Sequence, residues 1–249
     1  MTLSIELHQL FLAGFSGGGY PLRLAALTAA TESRKPSPRY TVLGCVSYFG
    51  MGGDLLHDHW LTPRGAKKRP LDMSRLVEEQ ETLRSSIKHW YEPSAPEVSD
   101  VPYTDGMTGQ RVDRGNIWDY WHATGSINDA ITGEKGFSAR MAAVPYHERI
   151  AAIPAKQLSV FPQIALTENA ATIPPFLLIH GDADKEVPYE ESSNTLRALQ
   201  EGGGHAELIT IPDADHALKV NDQEPPATLE AYSRTVEWML ERLASARGA

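Results

Sequence analysis

Short apolar runs, helical stripes and glycine-marked turns alternate along the chain, and their spacing predicts most of its elements. Leu7 and Leu10–Ala13 form a brief apolar run, as expected of a strand covered on both faces. A helix-compatible stretch follows over 22–30, then a second strand-like run at 40–49 (YTVLGCVSYF). Near the C-terminus the alternation returns. PPFLLIH at 174–180 reads as a strand, and 189–201 as a helix carrying Leu196 and Leu199, stopped by Gly202-Gly203-Gly204. AELITI at 206–211 reads as another strand. An amphipathic helix spans 224–246, with Leu229, Tyr232, Val236, Met239, Leu240 and Leu243 on one side. Strand and helix alternating at this spacing predict a mostly parallel sheet with right-handed crossovers and helices on both faces.

Between the two regular regions the texture changes. Residues 55–172 are rich in proline and hold Trp60, Trp90, Trp118 and Trp121. Helical spacing is present at 74–91, 116–131 and 138–153. The organisation expected is therefore a first core segment at 1–54, a large cap or lid insertion at 55–172, and a second core segment at 173–249.

Totals narrow the partners. With 23 Lys and Arg against 32 Asp and Glu, the net charge of −9 argues against nucleic acid and anionic membranes. No apolar run reaches the length of a membrane span and no secretory leader is spelled, so a soluble, cytoplasmic protein is expected. The single cysteine, Cys45, lies in an apolar run and is expected to be a buried small hydrophobe.

The first predicted strand runs into Gly14-Phe15-Ser16-Gly17-Gly18, a G-x-S-x-G turn leading into a helix. That context thrusts a serine hydroxyl out of a sharp strand-to-helix turn. Gly14 and Gly18 are expected to remove side chains that would collide there. A serine needs a base to take its proton, and the base needs an acid to fix its tautomer. Both types lie just after predicted strands: Asp182 and Asp184 in HGDADKEVP at 180–188, and His216 in the DADHA segment at 213–217. In an open parallel sheet such strand ends gather on one edge.

On these residues the chain resembles the serine esterase and lipase branch of the α/β-hydrolase superfamily, in particular fungal hydrolases of the α/β-hydrolase-3 group. GFSGG at 14–18, HGDADKEVP at 180–188 and DHAL at 215–218 carry the resemblance, with YFGMGGDLLHDHW at 48–60 and FPQI at 161–164. It implies an α/β-hydrolase fold and carboxylic-ester hydrolysis through an acyl-enzyme. The implied roles are Ser16 as nucleophile, His216 as base, Asp184 as orienting acid and the Gly17 N–H as oxyanion donor, with no cofactor or metal and a small ester-like substrate. Only fifteen residues precede Ser16 and no His-Gly-Gly-Gly is spelled, so an N-terminally shortened hydrolase is expected. Its first strand would be an exposed edge open to self-association. The alternative reading is a catalytically impaired relative that binds a ligand or partner.

Other candidates receive bland readings. Asp54, His57, Asp58 and His59 fit no zinc signature and are expected at a pocket rim or solvated turn. His180 is expected to be a structural hydrogen-bonder, Asp182 the runner-up acid, and Asp213 and Asp215 to shape their loop. GFSAR at 136–140 lacks the second glycine and reads as a loop.

Overall fold

The computed structural model describes residues 9–64 and 113–248. The helical spacing at 74–91 lies outside them. Contacts divide the chain into two units, residues 1–55 with 161–249, and residues 56–160.

Among the described residues the first unit holds a four-stranded parallel sheet in the order β1 (Gln9–Phe15), β2 (Thr41–Tyr48), β3 (Phe176–Gly181), β4 (Ala206–Ile211). β3 is buried along its whole length, which is why FLLIHG is almost uniformly apolar. One face carries α1 (Gly19–Ser33), α6 (Pro162–Asn169) and α7 (Glu190–Glu201), through Leu22, Ala26, Leu166 and Leu199 packed on Val42, Phe176 and Leu178. The other face carries the 23-residue α8 (Pro226–Gly248), whose Trp238 and Ala231 meet Val46, Leu177 and Ile179. This is an α/β-hydrolase fold. The segment around α6 belongs to the core, so the boundary expected after 172 falls at 160. Leu166 and Ala170 are fully buried against the sheet helices, and apolar content alone could not say against what they pack.

β2 breaks strict alternation. Leu10 pairs with Val42 but Phe11 with Gly44, so one extra residue is looped into β2. Val42 therefore faces α1, whereas Gly44, Val46 and Tyr48, all of the same parity, face α8. Gly44 is required at that switch. A Cβ there would lie 2.4 Å from the Trp238 ring.

Among its described residues the second unit carries short helices: α2 (Asp58–Leu61), α3 (Asp113–Thr124), α4 (Ile127–Thr132) and α5 (Phe137–Ala142). Arg149 is its buried cross-brace. Its guanidinium donates to Leu56 O at 2.6 Å, Met141 O at 3.0 Å and the Asp58 carboxylate at 2.6 Å. The helix predicted over 116–131 is two helices, because Gly125 turns the chain at φ +63°, where a Cβ would lie 2.7 Å from Leu61 O. The one predicted over 138–153 stops at 142, and the chain continues through Pro145 into a single 3-10 turn at Tyr146–Glu148. The loop expected at 136–140 is likewise corrected. Gly136 turns at φ +84° and α5 begins at once, its first N–H groups held by Asp129, which accepts from Gly136 N at 2.6 Å and Ser138 N at 2.7 Å.

Candidate active site

Ser16 stands at the junction of β1 and the 3-10 turn Ser16–Gly18 that opens α1. Its φ of +50° is a left-handed angle in a non-glycine residue, a conformation costing on the order of 1–3 kcal/mol unless its surroundings hold it. Two contacts hold it. The Ser16 carbonyl accepts from Met51 N at 3.0 Å, and Gly14 lets β1 and the turn close together. A Cβ at Gly14 would stand 2.5 Å from Gly18 O, a backbone atom that cannot step aside. Gly14→Ala is therefore expected to destabilise the fold by about 1–3 kcal/mol in urea unfolding and to lower turnover, since the turn must open.

The second glycine needed at the turn is not the one expected. Nothing lies within 4 Å of a Cβ built on Gly18, whereas one on Gly19 would meet Gly50 Cα at 2.5 Å. The close approach is between the first turn of α1 and the 50–54 loop after β2. Buried charges hold that loop. Gly52 N, Gly53 N and Asp54 N all donate to one oxygen of the fully buried Glu191, at 2.6, 2.6 and 3.0 Å. The equally buried Arg23 of α1 donates to Met51 O at 2.8 Å and to Thr195 Oγ1 at 2.9 Å. Burial pushes the Arg23 guanidinium down to about 10 while Glu191 pulls it back, so it stays charged at neutral pH. Asp54 itself accepts from Asn194 Nδ2 at 3.2 Å.

Three of the side chains singled out in the sequence meet. His216 Nε2 lies 2.8 Å from Ser16 Oγ, and its Nδ1 lies 2.7 Å from Asp184 Oδ2. Asp184 follows β3, and its other oxygen accepts from Glu186 N at 2.8 Å and Val187 N at 3.0 Å, so the carboxylate folds its own loop around itself. His216 follows β4. Gly181 permits the two loops to touch, since a Cβ there would lie 2.3 Å from Ala214 O. The His216 loop is anchored below by Thr228 Oγ1 donating to Leu218 O at 2.7 Å.

His180, fully buried, completes the surroundings of the carboxylate. Its Nε2 lies 3.2 Å from Asp184 Oδ2 and 3.0 Å from Val187 O, both acceptors. The proton therefore sits on Nε2, and Nδ1 accepts from Ser192 Oγ at 2.7 Å. Burial pushes the Asp184 carboxyl up. Hydrogen bonds from His180 and His216, the His216 charge and the Val187 N–H outweigh it and hold the group well below the usual carboxylate range. An ionised Asp184 fixes the His216 proton on Nδ1 and leaves Nε2 to accept the Ser16 proton.

The remaining candidates lie elsewhere in the network. Asp182 accepts from Asp213 N at 2.6 Å, tying the two loops together rather than facing the imidazole. Asp215 accepts from Ala217 N and Lys219 N within its own loop. Ser138, the serine of the near-match, is committed to Asp129. His57 Nδ1 accepts from His59 N at 3.1 Å and Asp58 pairs with Arg149. Among the described residues no three His, Cys, Asp or Glu side chains are grouped to hold a metal ion. None of the helices among them is long and apolar enough to cross a membrane. Cys45 is buried, and burial pushes its thiol up to about 12, beyond use as a thiolate. Phe49 is a site residue that the sequence pattern hid inside an apolar run. It sits at φ +41° just past β2, with its ring against His216.

Residues 110–246, more than half of the chain, match the family model described as the prolyl oligopeptidase family. A search of curated proteins returned no match. Among solved structures, the acylaminoacyl peptidase of Pyrococcus horikoshii shares 13% identity at a TM-score of 0.44, over 95% of this chain and 24% of that one. A carboxyl esterase of Tuber melanosporum shares 16% at 0.41, over 90% and 51%. A monoacylglycerol lipase of Paleococcus ferrophilus shares 19% at 0.40, over 94% and 69%. The chain thus spans a quarter to about half the length of the first two.

Proposed function

This chain belongs to the prolyl oligopeptidase family, and we propose that it is a serine hydrolase with Ser16, His216 and Asp184 as its triad, cleaving carboxylic esters through an acyl-enzyme. One observation carries the reading: an unbroken hydroxyl–imidazole–carboxylate chain, 2.8 and 2.7 Å long at its two links, assembled from three strand ends. As Ser16 Oγ attacks the acyl carbon, Nε2 takes its proton. The charge that builds on the carbonyl oxygen falls to the Gly17 N–H at the helix start. Collapse expels the alkoxide, which leaves with the Nε2 proton. Water then repeats the sequence: Nε2 takes its proton, the hydroxyl attacks the ester of Ser16, and Oγ recovers the proton as the carboxylic acid departs.

The family match over 110–246 favours a second reading, in which the acyl donor is a peptide or aminoacyl amide. The same residues would serve, with Nε2 protonating an amine instead of an alkoxide. Both readings require stoichiometric labelling by a fluorophosphonate. Turnover of alanyl p-nitroanilide then separates them: hydrolysis of the anilide that is lost in Ser16→Ala supports a peptidase, whereas hydrolysis of p-nitrophenyl butyrate with none of the anilide supports an esterase. A folded protein that takes up no fluorophosphonate and turns over neither substrate would instead be a binder with an idle site.

A further inference from the structure

We infer that Phe49 is a positioning residue for His216, confining the imidazole from a side that its two hydrogen bonds leave open. The inference rests on the serine-hydrolase reading above. Asp184 and Ser16 grip His216 at Nδ1 and Nε2, across the ring. Two bonds along one line stop the ring from sliding but leave it free to rock about that line. Rocking matters, because Nε2 must face Oγ in one step and the leaving group in the next.

The Phe49 ring closes that freedom. Its centroid lies 4.7 Å from that of the imidazole, with the planes crossing at 67°. Phe49 is itself propped from behind. Phe15 packs against it at 6.1 Å and 60°, and Phe15 stacks on Tyr48 at 4.7 Å with the planes 5° apart. The backbone shows how the ring reaches this place. Phe49 N donates to Ile179 O at 2.7 Å, holding the residue to the end of β3, and its φ of +41° is unusual for a bulky side chain. Ser16, across the β1–β2 pairing of Phe15 with Tyr48, is left-handed too. Adjacent strands thus each end in a left-handed residue, one presenting the hydroxyl and the other the wall behind the base. Backbone strain persisting at such a place points to a role in the site. A half-buried aromatic ring also keeps water from the imidazole and suits the cation it becomes during the reaction.

The test compares Phe49→Ala, Phe49→Leu and Phe49→Tyr with Leu208→Ala, which trims a partly buried β4 residue on the far face of the sheet. Phe49→Ala is expected to lower kcat at least about tenfold with KM within about twofold. Phe49→Tyr, which keeps the ring, is expected to restore most of the rate and Phe49→Leu less. Leu208→Ala should melt earlier yet keep its kcat. In proton spectra, the Nδ1–H resonance of His216 should broaden in Phe49→Ala and not in Leu208→Ala. A raised KM at unchanged kcat would make Phe49 a substrate wall and overturn the inference, as would a rate loss that merely follows melting temperature in all four variants. Ser16→Ala separates the two levels. If activity survives Ser16→Ala, the parent reading is lost whatever Phe49 does. If Ser16→Ala is inactive and Phe49→Ala keeps full kcat, only the present inference fails.

Discussion

Replacing Ser16 by alanine is expected to lower kcat on the ester by about 10⁶-fold and to abolish fluorophosphonate labelling. The expected loss is large because, in the proposed mechanism, the three side chains act as a unit: without Oγ, the imidazole has no nucleophile to activate. It is not total. A residual acceleration of about 10³–10⁴ over water is expected from the oxyanion donor and from binding alone. Stability supplies an independent check on the same residue. Ser16 sits at φ +50°, which glycine adopts freely and other residues do not. Ser16→Gly should be as inactive as Ser16→Ala but melt several degrees higher, since it relieves about 1–3 kcal/mol of strain. A Ser16→Gly protein that melts below the alanine variant would mean that the turn is not under load.

Much of this site is legible in the sequence because each piece is local. The G-x-S-x-G turn follows a strand and precedes a helix within twenty residues, and Asp184 and His216 each stand a few residues past an apolar run. What escapes is set by packing partners distant in sequence. Gly19 rather than Gly18 is indispensable because Gly50, thirty-one residues later, lies against it, and no motif encodes that neighbour. The extra residue in β2 switches which alternate positions face Trp238, so a period-two reading of 40–49 assigns one end of the strand to the wrong face. Glu191 and Arg23 look like ordinary surface helix positions, yet both are buried because the 50–54 loop offers a row of N–H groups and carbonyls that only ions satisfy well. His180 reads as a structural hydrogen-bonder, as it is. Its partner, the carboxylate that also holds His216, emerges only when the loop folds back.

Exchanging Asp184 for asparagine should have the second-largest effect, about 10⁴ in kcat with little change in KM. The reason lies in what surrounds the group. All four of its neighbours donate: Glu186 N and Val187 N to Oδ1, His180 Nε2 and His216 Nδ1 to Oδ2. A carboxylate accepts from every one of them, but an amide has a single acceptor oxygen. If that oxygen serves the two backbone groups, the NH₂ faces His216 and forces its proton onto Nε2, where it can no longer take one from Ser16. If the oxygen serves the imidazoles, the buried Val187 N–H loses its acceptor, at about 1–3 kcal/mol, and the part-buried Glu186 N–H loses its own as well. The loop cost is the heavier, so the inactive tautomer is expected to prevail. The pH dependence of stability offers a second readout. Asp184 titrates below its unfolded value near 4, so its ionised form contributes stability that is complete above about pH 4 and fades as pH falls through the lower folded value. Asparagine does not titrate. The stability gap between wild type and Asp184→Asn should accordingly be widest near neutrality and narrow toward low pH in urea titrations. A gap independent of pH would show that the carboxylate is not held as an anion, and the tautomer argument for His216 would fall with it.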